Sequence, residues 1–293
     1  MNRREVRLDG VPGLVGLYAT ALRRQLVTRR NRQGAPLELP AVAHAVDGVT
    51  ADPDRLVAYQ RLMGDTVRDT LPSVFVHGMA FPVAMSVLAA EDFPLPLLGM
   101  VHLGNEVEHR RAIGAEEKLG VRAWAEGLRP HHAGTAFDVV CQVSVSGVVV
   151  WRGVSTYLAK GVWAGVRPER AERAEPPAAA RTRTGVWRLG TETGRAYAAV
   201  LGDYNPIHLG LLPAKALGLK SHIAHGMFLA GRALAATAPN NGGYRWSIDF
   251  ETPVFLPASV QFGVREFEDA TLFEGWSAAS SRRHFSGSVR PLR

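Results

Sequence analysis

The feature that most constrains the fold of this 293-residue sequence is an internal repeat. The segment Tyr59–Thr70 (YQRLMGDTVRDT) aligns with Tyr197–His208 (YAAVLGDYNPIH) at a constant offset of 138 residues. A second pair of segments follows at an offset of 148 residues, Val76–Met79 (VHGM) and Ala224–Met227 (AHGM). The ten extra residues of the second copy belong to an insertion, Leu209–Ser221. A supersecondary unit that occurs twice predicts two similar domains in one chain.

Each copy continues into a helix and then into strands. The segment Ala224–Ala236 is apolar almost all round, which indicates a helix that is buried on most sides. The runs after the two helices are rich in Val, Phe, Trp and Thr and are separated by turn residues. These runs are Val121–Glu126, Thr135–Ser144 and Val148–Ala159 in the first half, and Tyr244–Glu251, Val260–Glu268, Leu272–Ser281 and Arg283–Val289 in the second. One helix followed by a meander of strands predicts an α+β fold with an antiparallel sheet in each half.

The composition changes sharply between the two copies. Residues 161–184 combine alternating charges, three prolines and small residues, and such a segment buries too little apolar surface to form a core. We therefore predict an N-terminal domain over residues 1–160, a linker over 161–184 and a C-terminal domain over 185–293. Both flanking pieces have the size of a domain.

The overall composition is that of a globular protein. Hydrophobic residues make up 46% of the chain and charged residues 21%, and no apolar run approaches the length of a membrane span. The single cysteine, Cys141, lies in an apolar strand pattern, where a small buried side chain is expected, and it has no partner for an intrachain disulfide. Its solitary presence predicts a reducing, cytoplasmic location. In the arginine-rich N-terminal region, Gly16–Val27 predicts the first helix of the domain and argues against a targeting segment.

The charge of the chain favours phosphate-bearing or acidic partners. The net charge is +7, the calculated pI is about 10.0, and arginine outnumbers lysine by 30 to 4. Because the guanidinium group matches phosphate, these residues suit coenzyme A or an acidic acyl carrier protein. Nucleic acid is the competing interpretation, but the basic residues are dispersed and accompany no nucleic-acid-binding motif. If coenzyme A is the carrier, Lys215 and Lys220 of the insertion are expected near its phosphates.

The sequence predicts neither a bound cofactor nor a metal. The glycines at Gly10, Gly13 and Gly16 have the wrong spacing for a dinucleotide-binding loop and follow no predicted strand. The pair His131-His132 lies beside a proline in a turn, with no carboxylate or cysteine at metal-ligand spacing.

Chemistry is concentrated in the second copy. The hexapeptide Asp203–His208 (DYNPIH) contains a carboxylate and an imidazole, and His225-Gly226 follows at the start of the apolar helix. Asp, Asn and Pro also favour turns for purely local reasons, so the hexapeptide alone is compatible with a structural role. The free amides of the helix start from Gly226 onward and carry the positive end of the dipole, which stabilises an oxygen that gains negative charge.

These residues resemble the MaoC-type hot-dog dehydratases, that is, the (R)-specific or type 2 enoyl-CoA hydratases. The resemblance covers roughly Arg183–Arg265 and includes Phe250–Pro257 (FETPVFLP). It implies a tandem hot-dog fold, in which each half has a central helix wrapped by an antiparallel sheet. It also implies that Asp203 and His208 are the catalytic pair, with the Gly226 amide as donor to the thioester oxyanion and Asn205 as a supporting polar residue. As substrate-binding residues we predict Asn205, His225, Tyr204 and Met227.

Two departures from the family pattern have consequences. The first copy keeps Asp65 but has Val67 in place of Asn205 and Thr70 in place of His208, so we predict a degenerate, catalytically silent domain that binds the substrate tail. In the second copy Leu234 stands where relatives often carry a small polar residue, so a contact from that side chain to the substrate is absent.

The predicted function is the reversible addition of water to trans-2-enoyl thioesters, which yields (3R)-3-hydroxyacyl thioesters. The enzyme would be a hydro-lyase of fatty-acid metabolism, with coenzyme A or acyl carrier protein as the carrier and a homodimer of double hot-dogs as the candidate assembly. Two alternatives stay open from the sequence: a hot-dog acyl-CoA thioesterase and a non-catalytic acyl-binding protein. The residue that protonates C2, the direction of the reaction and the acyl chain length also stay open, although an apolar first half favours medium-to-long chains.

Overall fold

The computed structural model describes residues 3–28, 37–169, 182–239 and 242–292. The first half contains β1 (Arg4–Arg7), α1 (Leu14–Thr28), β2 (Val42–Val49), α2 (Pro53–Met63), α3 (Ser73–Leu88), β3 (Val101–His109), β4 (Leu119–His131), β5 (Gly134–Val145) and β6 (Val148–Lys160). The second half contains β7 (Gly185–Leu189), α4 (Thr193–Leu201), α5 (Pro206–Leu209), α6 (Leu211–Ala216), α7 (Gly226–Thr237), β8 (Tyr244–Phe250), β9 (Ala258–Glu266), β10 (Thr271–Ser277) and β11 (Arg283–Pro291). No helix in the described ranges has the length and apolar character needed to cross a membrane.

The strands of both halves form one continuous sheet. Their order is β1-β2-β4-β5-β6-β3-β8-β11-β10-β9-β7, and every pair is antiparallel except β1 with β2. The halves join where β3 pairs with β8, from Gly104 opposite Asp249 to His109 opposite Tyr244. From this junction outward the strand order is the same on both sides, β3-β6-β5-β4-β2 and β8-β11-β10-β9-β7. The repeated order confirms the predicted duplication of one α+β unit with an antiparallel sheet.

The two apolar helices of the repeat are the central helices of the halves. Fourteen of the sixteen residues of α3 are buried, and the helix packs on β2, β4 and β5. Helix α7 contacts α3 and β10, and it buries residues on most of its circumference. Burial on most sides explains why neither helix shows a polar face in the sequence.

The shorter helices α2 and α4 cross between the halves. Helix α2 contacts α7, and helix α4 contacts α3 and α2. Gly78 of α3 faces Leu201 of α4, and Gly231 of α7 faces α2. Buried apolar residues from both halves therefore belong to one hydrophobic core.

The predicted elements correspond to observed ones with a few exceptions. The seven predicted strands correspond to β4, β5, β6, β8, β9, β10 and β11, and the predicted helix Gly16–Val27 corresponds to α1. Strands β1, β2, β3 and β7 were missed. Strand β7 is short and has exposed positions, whereas β3 carries His, Asn and Glu where a strand pattern expects apolar residues. Both strands owe their pairing to neighbours that are distant in the sequence.

Two further predictions concern Cys141 and the linker between the domains. Cys141 is buried on β5, and burial raises the pKa of its thiol to about 12, as expected for a small core residue without nucleophilic character. Half of the predicted linker lies outside the described residues, because only residues 161–169 and 182–184 of it are described. The bounds of the two domains stay a prediction.

Candidate active site

The segment that carries Asp203 and His208 is shaped by two helix ends. Helix α4 ends at Gly202, whose φ of 80° is in the left-handed region that favours glycine, and Asp203 follows at once. Two residues later Asn205 caps the short helix α5, with its side-chain oxygen facing the N–H of Ile207. Pro206 occupies the first turn of α5, and His208 lies in its last turn. The chain therefore turns back so that the carboxylate and the imidazole face the same region.

Three side chains meet in this region. An oxygen of Asp203 and one ring nitrogen each of His208 and His225 lie within 4.8 Å of one another. The two imidazole rings are stacked, with centroids 3.7 Å apart and planes inclined by 27°. His208 is 8% exposed and His225 is 2% exposed. The predicted pair Asp203 and His208 is thus brought together, and His225 joins it.

The tautomers of both imidazoles follow from their acceptors. Nδ1 of His208 lies 2.9 Å from the carbonyl oxygen of Ile223, and Nε2 of His225 lies 3.0 Å from the carbonyl oxygen of Asp203. A carbonyl oxygen only accepts, so both of these nitrogens carry hydrogen. The free lone pair of His208 is therefore on Nε2, and that of His225 is on Nδ1.

Both rings are neutral at neutral pH. Burial, reinforced by the neighbouring His225, lowers the pKa of His208 to about 3. Burial also lowers the pKa of His225 to about 3, although its bond to the Asp203 carbonyl acts in the opposite direction. A neutral His208 offers its Nε2 lone pair to a proton.

The Asp203 carboxylate has one occupied and one open oxygen. Oδ1 accepts a hydrogen bond from the Tyr18 hydroxyl at 2.8 Å and a longer one from the N–H of Asn205 at 3.3 Å. Oδ2 lies 3.7 Å from Nε2 of His225, beyond hydrogen-bond distance. Tyr18 belongs to α1, 185 residues before Asp203, and no sequence pattern indicated its presence here.

The start of α7 forms another wall of the site. His225 occupies the N-cap position without a side-chain cap bond, and Gly226 is the first helical residue. The first N–H groups of a helix have no acceptor within it, so they are available to an anionic oxygen. A Cβ at position 226 would come within 2.9 Å of the Phe250 ring. Glycine is therefore needed for the close approach of this ring to the helix start.

Strands at the junction of the halves add an aromatic wall that the sequence analysis missed. The ring of His102 stacks on Tyr157 at 4.7 Å and contacts Phe250 at 5.1 Å. Burial and the charge of Asp203 both raise the pKa of the Tyr157 hydroxyl, so this residue stays protonated. His102 and Tyr157 belong to the first half, and Phe250 to the second. His102 and Tyr157 are opposite one another in the β3–β6 pairing, and the β3–β8 pairing brings Phe250 to them.

The other predicted substrate-binding residues, Tyr204, Met227 and Asn205, lie outside the cluster of Asp203, His208 and His225. Tyr204 is 43% exposed, and its backbone N–H bonds to Gly202. Met227 is 7% exposed and belongs to the hydrophobic core. The side-chain oxygen of Asn205 caps α5. The structure therefore gives Asn205 and Met227 structural contacts and leaves Tyr204 outside the Asp–His cluster.

In the first half, the residues that align with Asp203 and His208 are Asp65 and Thr70, and their contacts differ. Both carboxylate oxygens of Asp65 bond to the Arg68 guanidinium, at 2.6 and 2.7 Å. Thr70, which aligns with His208, forms a β-bridge with Gly114. A cavity of about 40 Å³ lies beside these residues and is also lined by Tyr244. The ion pair and the absence of an imidazole at Thr70 favour the prediction of a silent half.

In the part of the chain that the structure describes, the trio Asp203, His208 and His225 is the one group with metal-ligand spacing. Nε2 of His225 carries a hydrogen that it donates to the Asp203 carbonyl, so this nitrogen cannot bind an ion, and the lone pair of the ring lies on the buried Nδ1. That the site works without a metal stays a prediction.

A double unit of central helix and wrapping sheet, with an Asp–His pair beside a helix start, defines the class of double hot-dog proteins with hydratase-type sites. Residues 169–283 match the family described as MaoC like domain. Over 263 residues the chain is 34% identical to 3-hydroxyacyl-thioester dehydratase X of Mycobacterium tuberculosis. The aligned region covers 87% of this chain and 91% of that protein. This chain belongs to the MaoC-like dehydratase family, as the sequence predicted.

Solved structures agree with this assignment. The crystal structure of HtdX from M. tuberculosis superposes with a TM-score of 0.73 at 32% identity, covering 85% of this chain and 100% of that chain. A conserved hypothetical protein from the same organism, which has a double hot-dog fold, superposes with a TM-score of 0.53 at 15% identity, covering 85% of this chain and 95% of that chain. The predicted tandem hot-dog fold is confirmed.

Proposed function

We propose that this protein catalyses the reversible hydration of trans-2-enoyl thioesters to (3R)-3-hydroxyacyl thioesters. The observation that carries the proposal is the pair of half-buried Asp203 and buried, neutral His208, which lies beside the start of α7. The relative with 34% identity is named a 3-hydroxyacyl-thioester dehydratase, which supports the same chemistry here. The enzyme is accordingly a hydro-lyase.

The geometry suits one water molecule held between the pair. Nε2 of His208 and Oδ2 of Asp203 are both acceptors, so a bridging water donates a hydrogen to each of them. The lone pairs of the water oxygen then point away from Asp203 and His208, and one of them faces C3 of an enoyl group bound in the site. Addition of this oxygen to C3 transfers one water proton to the pair, and the pair returns a proton to C2 on the same face.

The start of α7 serves the other end of the reacting group. When oxygen adds to C3, negative charge moves to the thioester oxygen. The N–H of Gly226, at the positive end of the helix dipole, is the donor that we assign to this oxygen. Removal of one such donor typically costs about 2.7 to 4 kcal/mol of transition-state stabilisation.

One assay separates this proposal from its alternatives. Purified protein is mixed with crotonyl-CoA, and the enoyl absorbance and the free thiol are both followed. We expect the enoyl absorbance to fall without release of thiol. Release of thiol would indicate a thioesterase, and the absence of both changes across a series of acyl chain lengths would indicate a non-catalytic acyl-binding protein.

For the acyl chain we propose medium-to-long substrates. The first half contributes Tyr157 near Asp203, with His102 stacked on it, and Thr70 stands where the second half has His208, which fits a role in holding the substrate tail. A turnover series from crotonyl to hexadecenoyl thioesters tests this point. A maximum at crotonyl would contradict it.

For the carrier we propose coenzyme A, with acyl carrier protein as the other outcome of the test. Lys215 lies in the last turn of α6, and the ammonium group of Lys220 lies 4.3 Å from the centre of the Phe255 ring. Charge reversal at both lysines is expected to raise KM for the CoA thioester, and salt should weaken the difference. An unchanged KM would place the phosphate site elsewhere.

The remaining proposals concern the cofactor, the location and the assembly of the enzyme. We propose that the reaction needs no cofactor other than the thioester carrier, that the protein acts in the cytoplasm, and that it assembles as a homodimer. Light scattering of the purified protein tests the assembly.

A further inference from the structure

The first half supplies a side chain to the Asp203 carboxylate. The hydroxyl of Tyr18 lies 2.8 Å from Oδ1 of Asp203, and the other donor to this oxygen, the Asn205 N–H, is longer at 3.3 Å. Tyr18 belongs to α1, outside the residues that match the MaoC-like family. The catalytic carboxylate thus has its shortest hydrogen bond to a residue of the other half.

The placement of Tyr18 is set by packing. Leu14 lies one helical turn before Tyr18, so the two side chains share one face of α1. Leu14 is 7% exposed, and its Cδ1 lies 3.8 Å from where a Cβ of Gly202 would be. Helix α1 therefore packs against the turn that leads into Asp203, and this packing places the hydroxyl of Tyr18 next to the carboxylate.

The chemistry of the phenol makes it a permanent donor. Burial, and then the charge of Asp203, raise the pKa of Tyr18 far above its ordinary value. Its single hydrogen is directed at Oδ1 and is not available to a substrate. With Oδ1 occupied, Oδ2 is the oxygen left to receive the proton of the water.

We propose that Tyr18 is a positioning residue for the hydration reaction, because its hydroxyl holds Oδ1 of Asp203 and thereby turns Oδ2 toward the water. This proposal rests on the proposed function. It makes the active site composite, although Thr70 of the first half stands where the second half has His208.

The test compares the full-length wild-type protein with Tyr18→Phe, Tyr244→Phe and Asp203→Asn. Tyr244 is the matched control, because it is also a tyrosine whose hydroxyl is hydrogen-bonded, to Ser73, and it lies beside Asp65 in the first half's counterpart pocket. Loss of a hydrogen-bonding partner that orients a metal ligand typically costs about 10- to 100-fold in activity, and we apply the same range to the partner of a catalytic carboxylate. We expect a fall of this size in kcat for Tyr18→Phe, with KM near the wild-type value, and no change in kcat for Tyr244→Phe.

A double variant then shows whether Tyr18 acts through Asp203. In the Asp203→Asn background, Tyr18→Phe should have no further effect on kcat, since there is no carboxylate left to orient. Melting temperatures and near-UV circular dichroism are recorded for every variant, and kcat is measured well below the lowest melting temperature. This separates the loss of a hydrogen bond from unfolding.

Several outcomes would overturn the proposal. Unchanged kcat in Tyr18→Phe would do so, as would an equal loss in Tyr244→Phe or the same fold loss in the Asp203→Asn background. A wild-type protein that hydrates no enoyl thioester would overturn the proposed function itself, and this inference with it.

Discussion

The reactive state of His208 results from its surroundings. A free imidazole titrates near neutral pH, but burial lowers the pKa of His208 to about 3, so the ring stays neutral. Its bond to the Ile223 carbonyl then determines which nitrogen holds the hydrogen. A side chain that is ordinarily a pH switch thereby becomes a constant acceptor at Nε2.

At the residue scale we predict that Asp203→Asn lowers kcat by at least about 10²-fold, the lower end of what a positioned acid or base contributes. The asparagine keeps an oxygen for the Tyr18 hydroxyl, so the melting temperature should stay close to that of the wild type. Steady-state kinetics and thermal unfolding measure the two effects. Wild-type kcat in the folded variant would contradict the assignment of Asp203.

His208→Ala should lower kcat by a similar factor, but this substitution also affects the stability of the fold. His208 is stacked on His225, and its Nδ1 hydrogen bonds to Ile223, so the alanine leaves a cavity and a carbonyl without its donor. We expect a lower melting temperature for this variant than for Asp203→Asn. The comparison shows how far the imidazole also supports the fold.

At the scale of elements, close crossings of helices tie the halves together. A Cβ on Gly231 of α7 would lie 2.6 Å from both Oη of Tyr59 and Sδ of Met63, which belong to α2. Both side chains are almost fully buried and have little room to move. The glycine is therefore required by the packing of α7 on a helix from the other half.

We predict that Gly231→Ala destabilises the protein although alanine is the better helix former. Overpacking of a core costs about 1 to 3 kcal/mol, whereas the gain in helix propensity is about 1 kcal/mol. The control is Gly16→Ala in α1, where no heavy atom lies within 4 Å of the new Cβ, so only the gain in propensity applies. Urea unfolding should show a lower free energy of unfolding for the first variant and an equal or higher one for the second.

At the scale of the whole molecule, duplication has left one half with the Asp–His pair and the other with an ion pair. Asp65→Asn removes one partner of Arg68 in the first half. We predict that kcat stays at the wild-type level, because Thr70 offers no imidazole with which a water could be shared. A large loss of kcat with folding preserved would mean that both positions take part in one reaction.

Five histidines whose pKa values are lowered to about 3 or 4 should make the stability of the whole molecule depend on pH. Burial is the first cause in each case, and it lowers the pKa to about 3 in His77, His208 and His225 and to about 4 in His102 and His109. The unfolded chain takes up these protons near pH 6.5 and the folded protein does not, so stability is complete above that pH and is lost as the pH falls toward 4. Each histidine contributes up to about 1.4 kcal/mol per pH unit in this window.

The measurement is the free energy of unfolding in urea at pH 7, 6 and 5, a range above that in which most carboxylates titrate. We expect a steady fall, and a smaller slope for His109→Gln, which removes one buried imidazole. The same free energy at all three pH values would show that these rings are not neutral in the folded state.

The sequence alone determined the duplication, the α+β class, seven strands and the pair Asp203 and His208. It could do so because these features are local: a repeat, an alternation of apolar residues, and a motif of six neighbouring positions. The sequence also indicated Gly226 as the start of a buried helix, since the apolar run begins there.

Only the tertiary structure decided which other groups surround the pair. Tyr18, His102 and Tyr157 reach the site from the first half, because α1 is seated on the turn before Asp203 and β3 pairs with β8. The neutral state of His208 likewise depends on burial that is created by the whole fold. Contacts between residues distant in the sequence leave no periodic signal in it, so the composite nature of the site appears only when the chain is folded.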